Sequence, residues 1–169
     1  MLNKFIFCSF LVTVSYINNY SQNQLPTDTT SLFSGSGNCI QCHQSNGTVM
    51  TWDGQDISPI TYWRSTMMGN ATKDPLWRAM VSEEVNKFPQ MKQTIESLCL
   101  KCHSPMGFTQ AIYDGQSGYS MEELKQDPLA NDGVSCTACH QVKPDNFGTS
   151  QSYSGNYMIG DGKNSFWPL

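Results

Sequence analysis

Hydrophobic positions in this chain come in short runs, and few of them keep a period for long. The first run, Phe5 to Val14, is about ten residues, too short for a helix that crosses a membrane. Lys4 precedes it and polar residues follow, with Ser21 before Gln22. That order reads as a secretory signal peptide over residues 1–21, removed together with Cys8. Residues 22–38, QNQLPTDTTSLFSGSGN, are polar and rich in Ser, Thr, Asn and Gly, and read as a flexible linker. Residues 44–57 read as loop, with Asn46-Gly47 and Asp53-Gly54 as turn signals.

Helical signals begin after that. Ser58-Pro59 gives an N-cap and a first-turn proline, and predicts a helix to about Gly69. Asp74-Pro75 repeats the signal. The next helix carries Leu76, Trp77, Met80, Val81, Val85 and Phe88, a spacing that fits one face. Pro89 ends it, and a third helix follows over about Gln90 to Cys102. Ser120 with Glu123 forms a capping box for a short helix to about Gln126. The stretch DPLANDGVS, residues 127–135, reads as loop, and residues 144–169 show no period. The chain stops in the apolar run SFWPL, which suggests that it is an N-terminal fragment of something longer. The pattern as a whole predicts a mainly α fold of short helices and long loops.

Composition narrows the function classes. The 169 residues carry net charge −4, with no basic stripe of the kind that grips nucleic acid. The cysteines and histidines change the picture most. The chain has seven cysteines and three histidines. Six of the cysteines and every histidine fall in three five-residue segments: CIQCH (Cys39, Cys42, His43), CLKCH (Cys99, Cys102, His103) and CTACH (Cys136, Cys139, His140). Cys-x-x-Cys-His is the pattern of c-type haem attachment: two thiols form thioethers, and the adjacent imidazole takes an axial position on iron. Zinc sites and disulfides do not require histidine directly after the second cysteine three times over. Three covalent haems are therefore expected, on a domain spanning residues 39–169. At about one haem per 50 residues, the chain is too sparse to build a separate core around each. Short helices wrapped on a haem stack are expected instead. The motifs start 60 and 37 residues apart, so the second and third are expected to be close neighbours.

With all three histidines used, the opposite axial positions fall to methionine, lysine, an open site, or histidine from missing sequence. The segment YWRSTMMGNA, residues 62–71, supplies the best methionines, Met67 first and Met68 second. Met106, three residues after His103, is too near to reach the far face of its own haem, and is divided between ligating a neighbouring haem and a loop position against a haem edge. Met80 is placed in the core, and Lys101 and Lys143 in solvent. Trp52, Trp63 and Trp77 are expected on haem faces or between helices. Arg64 and Arg78 are divided between haem propionates and solvent. Gly133 is expected to admit the backbone close to a macrocycle, and Glu83 and Glu84 to be surface acids. Tyr62, Tyr113 and Tyr119 receive no role.

These segments, with DPLWRAMVSEE, LCLKCHSPMG and DGVSCTACHQ, resemble the multihaem c-type cytochromes of the cytochrome c-552/4 group, to which the tetrahaem cytochrome of nitrifying bacteria belongs. The resemblance covers roughly residues 37–160. Chains of that group carry W-x-x-S-x-H between their first two motifs, the histidine being a distal ligand. This chain has Trp63, Ser65 and then Met67. The resemblance thus implies a thioether on iron where the group has imidazole, and a raised reduction potential.

Electron transfer by an exported protein, in the periplasm or at the cell surface of a Gram-negative bacterium, is the expected function. Redox proteins are the expected partners, with no membrane span once the signal is cleaved. The alternative is a haem enzyme, or a subunit of one, acting on a small nitrogen oxide or hydroxylamine-type substrate at an open haem. No constellation of acid–base residues stands out for it.

Overall fold

The computed structural model of the chain describes residues 24–161. The signal-peptide reading, with Cys8, and the SFWPL end lie outside the described residues. Seven short helices follow in order: α1 Ile40–His43, α2 Pro59–Arg64, α3 Pro75–Lys87, α4 Lys92–His103, α5 Pro105–Tyr113, α6 Met121–Gln126 and α7 Cys136–His140. One small antiparallel hairpin, β1 Thr51–Trp52 with β2 Gln55–Asp56, turns at Asp53-Gly54. The fold is mainly α, as its sequence predicts.

The helix starts follow capping chemistry. The Asp74 side chain accepts from Leu76 N at 2.9 Å, with Pro75 in the first turn. At α6 the capping box is complete: Glu123 N donates to Ser120 Oγ at 3.2 Å, and Ser120 N donates to Glu123 Oε2 at 2.9 Å. The helix from Pro59 ends at Arg64 instead of reaching Gly69. Side chains beyond it take its last carbonyls: Ser65 Oγ donates to Tyr62 O, Thr66 Oγ1 to Trp63 O, and Asn70 Nδ2 to Arg64 O. Such local bonds compete with helix continuation.

Helix α5 has no counterpart in the sequence reading. Its Gly107 permits close packing, since a Cβ there would fall 2.6 Å from the Ala130 side chain. Tertiary packing overrides the weak local propensity of PMGFTQAIY. Met106 is consequently a fully buried helix residue and not a loop methionine at a haem edge.

Two apolar clusters form the interior. Trp77, Val81, Leu100, Ala111, Tyr119, Leu124 and Ala130 pack where α3, α4, α5 and α6 meet. Leu32, Phe33, Met106, Leu129 and Ala138 form the second. The presence of Leu32 and Phe33 there corrects the linker expectation over residues 24–38. That stretch is packed, with Gly35 N donating to Asp28 O and Gly37 N to Pro26 O at 2.9 Å each. Met80 is also corrected, being 61 % exposed. Successive helix residues point about 100° apart. Trp77 and Val81 take the inner row of α3, which leaves Leu76 and Met80 on the adjoining outer one.

Candidate functional site

Each Cys-x-x-Cys-His motif folds as a helical turn. Cys39 closes a 3₁₀ turn, Ser36–Cys39, that runs into α1; Cys99–His103 ends α4; Cys136–His140 is α7. Residues at i, i+3 and i+4 share one face of a helix, so the two thiols and the imidazole of each motif project together. In all three motifs the first cysteine is half-buried and the second exposed, and all six thiols are unbridged. Burial pushes the Cys136 thiol up to about 11 and raises Cys39, Cys99 and Cys139 as well. Neutral thiols of this kind are unlike the activated thiolates of redox dithiols. Among the described residues, no three His, Cys, Asp or Glu side chains converge to hold a metal ion by themselves.

The CLKCH motif has the most ordered imidazole. His103 Nδ1 lies 3.0 Å from Ala71 O. A carbonyl only accepts, so Nδ1 carries the proton and Nε2 keeps its lone pair for a metal. Trp77 stacks on the same ring, with centroids 4.4 Å apart and planes 10° from parallel. Beside them lies a cavity of about 500 Å³ lined by Met67, Met68, Asn70, Ala71, Cys102 and His103, among others. Met67, 85 % exposed, borders this cavity.

The other two motifs share a chamber. The Cys39 and Cys136 thiols lie near enough for each to perturb the other's ionisation. A cavity of about 280 Å³ is lined by both, by His43 and His140, and by Trp63 and Met68. Buried Asp132 holds the two motifs in place. It accepts from Ser36 N at 2.9 Å, Ser36 Oγ at 3.0 Å and Ser135 Oγ at 2.6 Å. Thr137 Oγ1 adds a bond to Ser34 O at 2.8 Å. The expectation paired the second and third motifs, whereas the third motif shares its chamber with the first. The Tyr157 hydroxyl, pushed up to about 12 chiefly by burial, feels both Cys139 and Cys102.

Of the remaining candidates, Trp63 lines the shared chamber and most others lie outside both. Trp63 Nε1 donates to Val134 O at 2.9 Å, while Trp52 is exposed on the hairpin. Arg78 Nε donates to Thr72 O at 2.7 Å. Lys101 Nζ bonds Asn156 Oδ1. Glu83 and Glu84 are surface acids beside Lys87, at 3.9 and 4.0 Å. Tyr119 is structural, its hydroxyl donating to Asp127 Oδ2 at 3.1 Å. Gly133 does admit a close backbone approach, but to Met68 and Gly69. Asp132 was not legible as a site residue, although its spacing from Ser135 is that of a local side-chain bond. Buried Glu96, paired with Lys92 at 2.6 Å, gave no distinct signal either.

Paired thiols, an imidazole with its outer nitrogen free, and an adjoining largely apolar cavity fit a covalently attached haem. The family model of cytochrome c554 and c-prime matches residues 38–141, which takes in all three motifs. The chain belongs to this family. As a c-type cytochrome it binds haem covalently and serves haem-based electron transfer. No curated protein and no solved structure matches the chain.

Proposed function

We propose that this cytochrome carries three haems, one on each motif, and relays single electrons among redox proteins outside the cytoplasmic membrane. Cys39 and Cys42, Cys99 and Cys102, and Cys136 and Cys139 are the attachment pairs. His43, His103 and His140 are the proximal ligands. The haem supplies one-electron exchange at its iron, and the chain supplies attachment, ligand orientation and partial exclusion of water. The observation that carries this reading is the threefold recurrence of one geometry, a helical turn with a half-buried thiol, an exposed thiol and an imidazole on one face. Exposed Met67 borders the cavity of His103 and is the proposed distal ligand there. Export follows from the leader-like start of the sequence and suits a c-type cytochrome. No helix among the described residues is long and apolar enough to cross a membrane.

Intact mass and haem absorbance of the full chain, made in a host that attaches c-type haem, test the count. Three haems are expected, and replacing both cysteines of one motif by alanine should remove one. A chain that carries fewer than three rejects the proposal. Met67→His should lower one reduction potential, because imidazole favours the ferric state more than thioether does. If Met67→Ala leaves every haem spectrum unchanged, the ligand assignment is wrong. A high-spin haem that binds carbon monoxide would favour catalysis over simple relay.

A further inference from the structure

The cavity beside His103 and the cavity shared by His43 and His140 have two lining residues in common, Met68 and Val134. These two are fixed to each other. Val134 N donates to Met68 O at 3.0 Å, and Trp63 Nε1 donates to Val134 O at 2.9 Å. Gly133 makes the approach possible, with φ +76° and no room for a side chain: a Cβ would fall 2.6 Å from Met68 O. Three residues past Met68, Ala71 O fixes the His103 ring at 3.0 Å. A single turn thus faces one chamber through its peptide group and both chambers through Met68. Neighbouring Met67 borders the first chamber and has no part in the lining of the second.

We infer that Met68 and Val134 form the partition between the haem chamber of Cys99–His103 and the chamber of the other two motifs, and that they set how strongly the haems on either side affect one another. The inference rests on the three-haem reading. A methionine suits the position, because its flexible, polarizable side chain fills an irregular gap and makes contacts on both sides. These are positioning residues and need touch no iron.

Proton NMR of the oxidised, haem-loaded full chain tests this, with the hyperfine-shifted haem methyl signals assigned through the single-motif cysteine variants. Met68→Ala should displace signals of the haem on Cys99 and Cys102 and of at least one haem across the partition, with haem content held at three. Val134→Ala should do the same, and so provides the readout if Met68→Ala fails to fold. Met67→Ala should displace the first set alone. If Met68→Ala and Val134→Ala each move signals on one side only, or on neither, the partition is overturned while the three-haem reading stands. A wild-type chain with fewer than three haems overturns that reading, and the inference with it.

Discussion

The CLKCH turn and the pair CIQCH and CTACH share one local geometry and are held by different physics. CLKCH ends a twelve-residue helix, and its second residue, Leu100, is fully buried in the larger apolar cluster. Its histidine is gripped by a tryptophan ring and a carbonyl. The equivalents of Leu100 are half-buried Ile40 and half-buried Thr137, on helices of four and five residues. Helices that short do not hold themselves together. Polar ties hold them instead, above all the three bonds accepted by Asp132. The motif therefore specifies a turn, and its surroundings decide how firmly that turn is set.

The largest expected effect tests the apolar side of the comparison. Leu100→Ala removes a fully buried side chain and should cost about 3–4 kcal/mol, the middle of the range for such large-to-small core changes. Denaturant unfolding of the haem-loaded protein measures it, and a loss below ~1 kcal/mol would mean that the haem, not α4, supports this motif. Asp132→Ala tests the polar side. It strands buried donors from Ser36 and Ser135, at about 3 kcal/mol in total. Hydrogen exchange should then rise around Ser36–His43 and Cys136–His140 while α4 stays protected. Uniform loss of protection would show that the two regions unfold as one.

Legibility in the sequence divides along the same line. Helix starts with proline, aspartate or a capping box were readable, because their chemistry lies within a few residues: Ser58-Pro59, Asp74-Pro75, Ser120 with Glu123. The three Cys-x-x-Cys-His segments, and the helical turns they form, were readable for the same reason. What depends on distant partners was not. Leu32 and Phe33 sit in a polar stretch, and distant residues such as Met106, Leu129 and Ala138 make them core. Helix α5 needs the close approach that Gly107 permits. The meeting of Cys39 with Cys136 joins residues almost a hundred positions apart, so the spacing between motifs could not reveal it.

A third prediction concerns the seam between the two regions. Gly133→Ala places a Cβ at a positive φ and against Met68 O, and should cost about 2 kcal/mol. If three haems are bound and Met68 and Val134 divide them as inferred, visible spectra of haems on both sides should change along with the thermal midpoint. A change in midpoint alone would mean that the turn relaxes without disturbing either chamber.

The smallest expected effect sharpens the boundary. Ser120→Ala removes the cap of α6 and should cost about 1 kcal/mol. Leu124 on that helix packs in the same cluster as Leu100, while Asp132 ties down the other region. If the regions are supported separately, Ser120→Ala and Asp132→Ala should add to within ~0.5 kcal/mol, as independent sites do. Ser120→Ala with Leu100→Ala should deviate further, because both loosen one cluster and the cavity left by Leu100 can collapse more easily once α6 is freed. The reverse ordering of these two deviations would place α6 with the polar pair and redraw the division between the chambers.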